Sequence, residues 1–220
     1  MPASDDRPPF FELQRSTSNW QGLGVVWLEQ ISQQLNCDAK LIELPWGRAL
    51  RLLQNGELDL MTNLSKTKER ERYLDFIGPH HIEKLILLLS STENSITRLE
   101  GISQLKGQIA ILANGFYGEE FHWLYQHNPD FRQRIVAVSS SALMKKMLIS
   151  HRVTGLIEDE QVISQWRRQQ DISAVDFHQV LTVNANPVYI GLSKKALNQH
   201  QRDQIKSWWE KSGLVIPNAE

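Results

Sequence analysis

The sequence predicts an α/β protein built as two lobes, each a mostly parallel sheet flanked by helices, with a cleft between them. Three observations carry this expectation. Segments with helical spacing alternate with short strand-like runs, the pattern of a parallel sheet with crossover helices. Two such α/β runs are separated by polar connectors. A last helical segment follows the final strands, as if the chain returned to its first lobe. At 220 residues the chain is long enough to bury two small cores or one large one.

Residues 2–10 are rich in Pro and Asp and read as a loop. Apolar positions at Trp27, Leu28, Ile31 and Leu35 have helical spacing. Lys40–Leu44 alternates like a strand and Pro45 ends it. Arg48–Leu53 is helical again, with Asn55-Gly56 as its stop. Leu58–Met61 is a short buried strand, and Lys66–Tyr73 a polar helix opened by Ser65. After the apolar strand Leu85–Leu89 comes the polar connector 90–95. The second run has strands at Gln108–Ala113, Ile135–Val138 and Gly155–Ile157, with helices at Glu119–Tyr125, Ser141–Leu148 and Val162–Trp166. Phe177–Val183 and Val188–Leu192 read as two strands interrupted by Asn184–Pro187, and Lys194–Lys211 as the closing helix before Gly213.

Composition excludes several classes of function. The net charge is −1, from 24 basic and 25 acidic residues without a basic stripe, so no nucleic-acid partner is expected. No apolar run approaches the roughly 18 residues of a membrane span, so the chain is not expected to be membrane-embedded. The start, MPASDDRPPF, has neither a basic n-region nor an apolar h-region and does not read as a signal peptide. Cys37 stands alone, which excludes an internal disulfide, and is expected to be a buried apolar thiol. His80 and His81, adjacent on a strand, are expected on opposite faces, and no metal or cofactor is expected. Gly22 and Gly24 lack the third glycine of a dinucleotide fingerprint. No GxSxG, P-loop or HExxH motif occurs.

One segment carries a site. In Thr62-Asn63-Leu64-Ser65, hydroxyls and an amide cluster at the carboxyl end of a strand, where open α/β sheets place ligands. The helix that follows offers N–H donors in its first turn. Arg70, five residues past Ser65, has a guanidinium fork suited to a bidentate grip on a carboxylate. The alternative is a solvated face, since Lys66–Arg72 is a dense charge run; Arg72 is assigned to that face, and Arg48 to solvent.

The order GELDLMTNLSKTKERERYLDFIGPH, from Glu57 to His81, resembles the most recognisable segment of the family-3 solute-binding proteins, which have the type II periplasmic-binding fold and include amino-acid receptors of ABC importers. The resemblance covers nearly the whole chain. It implies two crossings between lobes, so that lobe one is 1–89 plus 187–220 and lobe two 90–186. It implies that Arg70 grips the ligand's carboxylate with Ser65 and Asn63, beside Thr62, and that Phe10 and Trp46 wall its side chain. From lobe two it implies contacts at the turn carrying Phe116 and Tyr117, and Asp159, with Glu158 behind it, for the ammonium. The family normally begins with a strand before the Pro-Phe turn, and this chain begins at the turn.

The implied function is capture of a small zwitterion, an amino acid in family terms, by a monomeric periplasmic protein that delivers it to an ABC permease. The rivals are a sensor module of the same fold, a cyclohexadienyl dehydratase-like enzyme with Glu158 and Asp159 as its only acid/base candidates, and a paralogue that has lost its ligand.

Overall fold

The computed structural model describes residues 2–3, 12–14, 19–90, 96–173 and 176–213. The chain divides into two compact units, Met1–Glu83 with Asn186–Glu220 and Lys84–Ala185. In chain order the elements are β1 (Pro2–Ala3), β2 (Glu12–Gln14), β3 (Asn19–Gln21), α1 (Leu23–Leu35), β4 (Ile42–Glu43), α2 (Trp46–Asn55), β5 (Leu60–Ser65), α3 (Lys68–Glu71) and β6 (Leu74–Ser90). A 3-10 turn at Leu99–Gln104 leads to β7 (Ile109–Leu112), α4 (Glu119–His127), α5 (Pro129–Arg134), β8 (Ile135–Val138), α6 (Ser141–Ile149), β9 (Gly155–Asp159), α7 (Glu160–Arg168), β10 (Phe177–Ser193) and α8 (Gln199–Ser212).

The first unit packs α1 and α8 together over β5 and the outer parts of β6 and β10. Its core holds Trp27, Ile31, Leu60, Ile77, Ile190, Leu192 and Ile205, with Trp20, Trp208 and Trp209 packed on it. Helix α1 ends at Asn36, whose left-handed φ of 48° accommodates the C-cap. Helix α2 ends at Gly56 with φ 83°, where a Cβ would fall 2.7 Å from Lys195 Cβ. Cys37 is exposed just past the α1 cap rather than buried as expected. Arg202 of α8 donates to Asp75 of β6 at 2.7 Å, fixing the last helix on the strand that leaves the unit.

The second unit is a sheet in which β7 pairs parallel with β8 and β9, and β9 pairs antiparallel with β6, Leu85 facing Asp159 and Leu89 facing Gly155. Leu87, Ile102, Ile109, Phe131 and Ile157 form its core and are sealed from solvent. The sheet is mixed rather than mostly parallel, because β6 and β10 are long strands that return antiparallel to their neighbours: β10 also runs antiparallel to β5.

Several boundaries differ from the sequence reading. A strand does precede the Pro-Phe turn: Pro2–Ala3 pairs parallel with Ile42–Glu43. The hairpin of β2 and β3 carried no recognised signal. The polar helix shrinks to four residues, and Thr67, not Ser65, is its N-cap. The two strands expected around Asn184–Pro187 are one strand of 17 residues.

Gly155 is closely enclosed by the backbone of the second unit. A Cβ there would lie 2.3 Å from the Leu88 carbonyl and 2.6 Å from Leu89 Cδ2. The carbonyl belongs to the paired strand and cannot rotate away. Gly155→Ala is expected to cost about 1–3 kcal/mol, read as a lower urea midpoint with an unchanged slope.

Candidate functional site

Strand β5 is buried along its whole length, and its pairing is irregular at the predicted site. Val188 faces Ser65 and Tyr189 faces Leu64, but Gly191 faces Met61. Four residues of β5 therefore oppose three of β10, a bulge that contains Thr62 and Asn63. Asn63 takes a left-handed φ of 58°, a conformation that asparagine tolerates better than most residues. Its N–H donates to His80 Nε2 at 3.3 Å. Its side chain is 7% exposed, and Oδ1 has no hydrogen-bond partner among the described residues. A buried acceptor left so costs about 1–3 kcal/mol and calls for an explanation.

Arg70 resolves the ambiguity of the charge run. Thr67 caps the short helix by accepting the Arg70 N–H at 3.3 Å. Lys66, Lys68, Glu69, Glu71 and Arg72 are exposed, and Lys66 pairs with Glu71 at 3.1 Å on that outer side. Arg70 alone in the run turns inward and is 7% exposed. Its Nη1 donates to the Ser65 carbonyl at 2.9 Å, which folds the guanidinium back over the end of β5. Burial pulls the Arg70 pKa down, while the charges of Tyr73, Glu83 and Glu69 push it up. The group stays a cation, since arginine is not deprotonated in proteins. The helix is a single turn in which Thr67 takes the Arg70 and Glu71 N–H groups.

Thr62 and Ser65 are buried in β5, at 3% and 4% exposure. Trp46 opens α2 after Pro45 and is buried, with Nε1 lacking an acceptor among the described residues. Phe10 lies outside the described residues. Arg48 is exposed, as expected.

Two groups near Arg70 escaped the sequence reading. Glu83 is a buried carboxylate whose charge acts on Arg70. Its signal was present: it shares strand parity with Leu85, Leu87 and Leu89, so alternation assigns it to a buried face. His80 and His81 do not separate to opposite faces. Both are buried, their rings 4.7 Å apart and their Nδ1 atoms at 2.8 Å.

In the second unit, Asp159 ends β9 at 3% exposure and caps α7, its Oδ1 accepting the Gln161 N–H at 2.7 Å. Glu158 turns the other way: it accepts from the buried Ser141 hydroxyl and, at 2.9 Å, from the Asp159 N–H. Phe116 is half-buried in the turn after β7. The Tyr117 phenol is engaged with its own turn. Its phenol oxygen accepts the Leu112 N–H at 2.7 Å and donates to the Leu112 carbonyl at 3.3 Å, and its ring stacks near Phe121 in the core.

The chain belongs to the bacterial extracellular solute-binding proteins, family 3, whose family model matches residues 2–209. No curated protein matches it. Among solved structures it is similar to the substrate-binding protein of an amino acid ABC transporter, at 15% identity and a TM-score of 0.78, over 98% of this chain and 94% of that one. An ancestral arginine-binding protein bound to arginine gives 17% identity and a TM-score of 0.78, over 96% and 89%. A histidine kinase sensor domain with similarity to periplasmic binding proteins gives 14% identity and 0.76, over 95% and 87%. At these identities the likeness establishes the type II periplasmic-binding fold, and the family establishes a solute-binding role. No helix among the described residues is long and apolar enough to cross a membrane.

Tyr117→Phe removes a hydroxyl that braces the turn through Leu112. The expected loss is about 1 kcal/mol of stability, visible as a lower thermal midpoint, while any ligand-induced rise of that midpoint is retained.

Proposed function

We propose that this chain captures a small amino acid or related carboxylate in the periplasm and passes it to an ABC importer. The single observation behind the reading is the burial of Arg70 at the end of β5, beside the strained and incompletely satisfied Asn63. A solvated helix face has no use for an inward guanidinium, whereas a carboxylate-binding site requires one. Ser65, Asn63 and Thr62 complete the carboxylate side, and the buried indole of Trp46, like Phe10, serves the ligand's side chain. Asp159 serves the ammonium and Phe116 adds an apolar wall; Tyr117 supports its turn from the core. In this reading the lobes are 1–89 with 187–220 and 90–186, and the protein is a monomeric binder rather than an enzyme. The named neighbours that bind arginine or serve an amino acid transporter support the ligand class.

Thermal unfolding against the common L-amino acids and their des-amino analogues tests this. A ligand at about a thousand times its dissociation constant adds roughly 4 kcal/mol and raises the midpoint by several degrees. Arg70→Ala is expected to abolish the rise, and Arg70→Lys to weaken affinity at least about tenfold because the fork is lost. Asp159→Asn should weaken amino acids and leave des-amino carboxylates unaffected. An undiminished rise in Arg70→Ala sinks the reading, and turnover of prephenate or arogenate would sink its non-enzymatic part.

The histidine kinase sensor domain among the structural neighbours favours one second reading, a ligand-sensing module with the same site. Reconstitution separates the two: ligand-dependent uptake with a permease supports the receptor, and ligand-dependent phosphorylation of a cognate kinase supports the sensor.

A further inference from the structure

We propose that His80 is a positioning residue of the ligand site, whose uncharged imidazole, oriented by His81, holds open the Asn63 bulge and makes ligand capture fail in acid. The inference rests on the reading of β5 as the carboxylate site.

The Asn63 bond decides which His80 ring nitrogen accepts. Asn63 donates its N–H to His80 Nε2, so that nitrogen carries no proton. The proton of the neutral ring then sits on Nδ1, which faces His81 Nδ1 at 2.8 Å. The Tyr189 backbone makes a further hydrogen bond to the His80 ring. The His80 tautomer is thus set by the bond that Nε2 accepts. A second proton on His80 would put an Nε2–H against the Asn63 N–H, two donors facing each other. The anchor therefore exists only while the His80 ring is uncharged.

The anchor is where it matters. Asn63 cannot use its N–H in the β5–β10 ladder at the bulge, and its left-handed backbone needs an external restraint. His80 supplies it from β6, with the Trp27 ring of α1 4.8 Å away on its side. His81 is the titratable group that acts on His80 from β6; β5 presents the Asn63 N–H, α1 the Trp27 ring, and β10 the backbone of Tyr189. Burial and His81 hold the His80 pKa well below 6.5, and the Tyr189 backbone opposes them weakly. The sign follows from the protons bound. A folded pKa below the unfolded value means that the folded state binds fewer protons. The stabilisation is complete above the ordinary pKa of 6.5 and declines as pH falls below it toward the folded value.

The test uses the full chain. Long-range 1H–15N NMR of the histidine rings is expected to show neutral His80 with its proton on Nδ1, persisting below pH 6.5. Hydrogen exchange at the Asn63 amide is expected to be about tenfold faster in His80→Phe, the equivalent of one lost hydrogen bond. His80→Gln, whose side-chain oxygen can accept, should restore protection, which a packing role alone would not do. Thermal shifts with the common L-amino acids, tested singly, should weaken about tenfold in His80→Phe and in wild type at acid pH. An Nε2-protonated His80, or unchanged Asn63 exchange in His80→Phe, overturns the proposal, and the NMR result stands even if that variant fails to fold. If Arg70→Ala abolishes binding while a folded His80→Phe binds like wild type, this inference alone falls. If Arg70→Ala leaves every shift intact, the ligand-site reading falls first and takes the role of His80 in binding with it.

Discussion

A guanidinium removed from water has to be met by acceptors and anions, and the first unit is arranged around that demand at Arg70. Solvation would be the cheaper outcome for a residue in so charged a run. The chain instead caps a single helical turn with Thr67, leaves the other charges outside, and sends Arg70 back over the strand it has just left. The Ser65 carbonyl takes one donor, and the Glu83 carboxylate supplies a compensating charge from β6. Pairing of this kind is weak evidence for stability, because desolvation offsets much of the Coulomb gain. What the arrangement achieves is a cation held in a fixed place.

The same economy explains the irregular strand beside it. A regular ladder along β10 would keep the register of β5 unbroken. The bulge breaks the ladder at Thr62 and Asn63, at the cost of a left-handed asparagine and a buried amide oxygen without a partner among the described residues. The histidine pair on β6 takes up the N–H that the bulge releases. Strain, an unmet acceptor and a buried cation thus gather within a few residues, as functional sites tend to do.

The second unit shows how polar groups at strand ends divide between support and function. Glu158 and Tyr117 are engaged by Ser141 and by the Leu112 backbone, so they brace their turns. Asp159 caps α7, and its carboxylate oxygen is fixed by the Gln161 N–H. Fixing a carboxylate in this way removes its rotamer freedom.

Much of this was legible in the sequence. Periodicity located α1, α2 and the strands of the second unit, because an apolar stripe is a local property that burial enforces everywhere. The order of motifs from Glu57 to His81 marked the family and drew attention to Arg70, Ser65 and Asn63. Boundaries were less legible: Pro187 suggested a break, yet β10 runs through it, since a strand's continuity depends on its neighbours and not on its own propensity. Side-chain direction was least legible of all. Local sequence made Arg70 one of several exposed charges, put His80 and His81 on opposite faces, buried Cys37 and left the Tyr117 phenol open. These outcomes were decided by packing and hydrogen bonds that periodicity does not encode: the Ser65 carbonyl and Glu83 at Arg70, the bulge opposite β10, and the Leu112 backbone with Phe121 at Tyr117. The sequence by itself determined the fold class and which segment marks the family, because those follow from patterns in the order of residues along the chain. Tertiary structure alone decided which polar groups face inward and which are already satisfied, because a hydrogen bond exists only where two strands bring its donor and acceptor together.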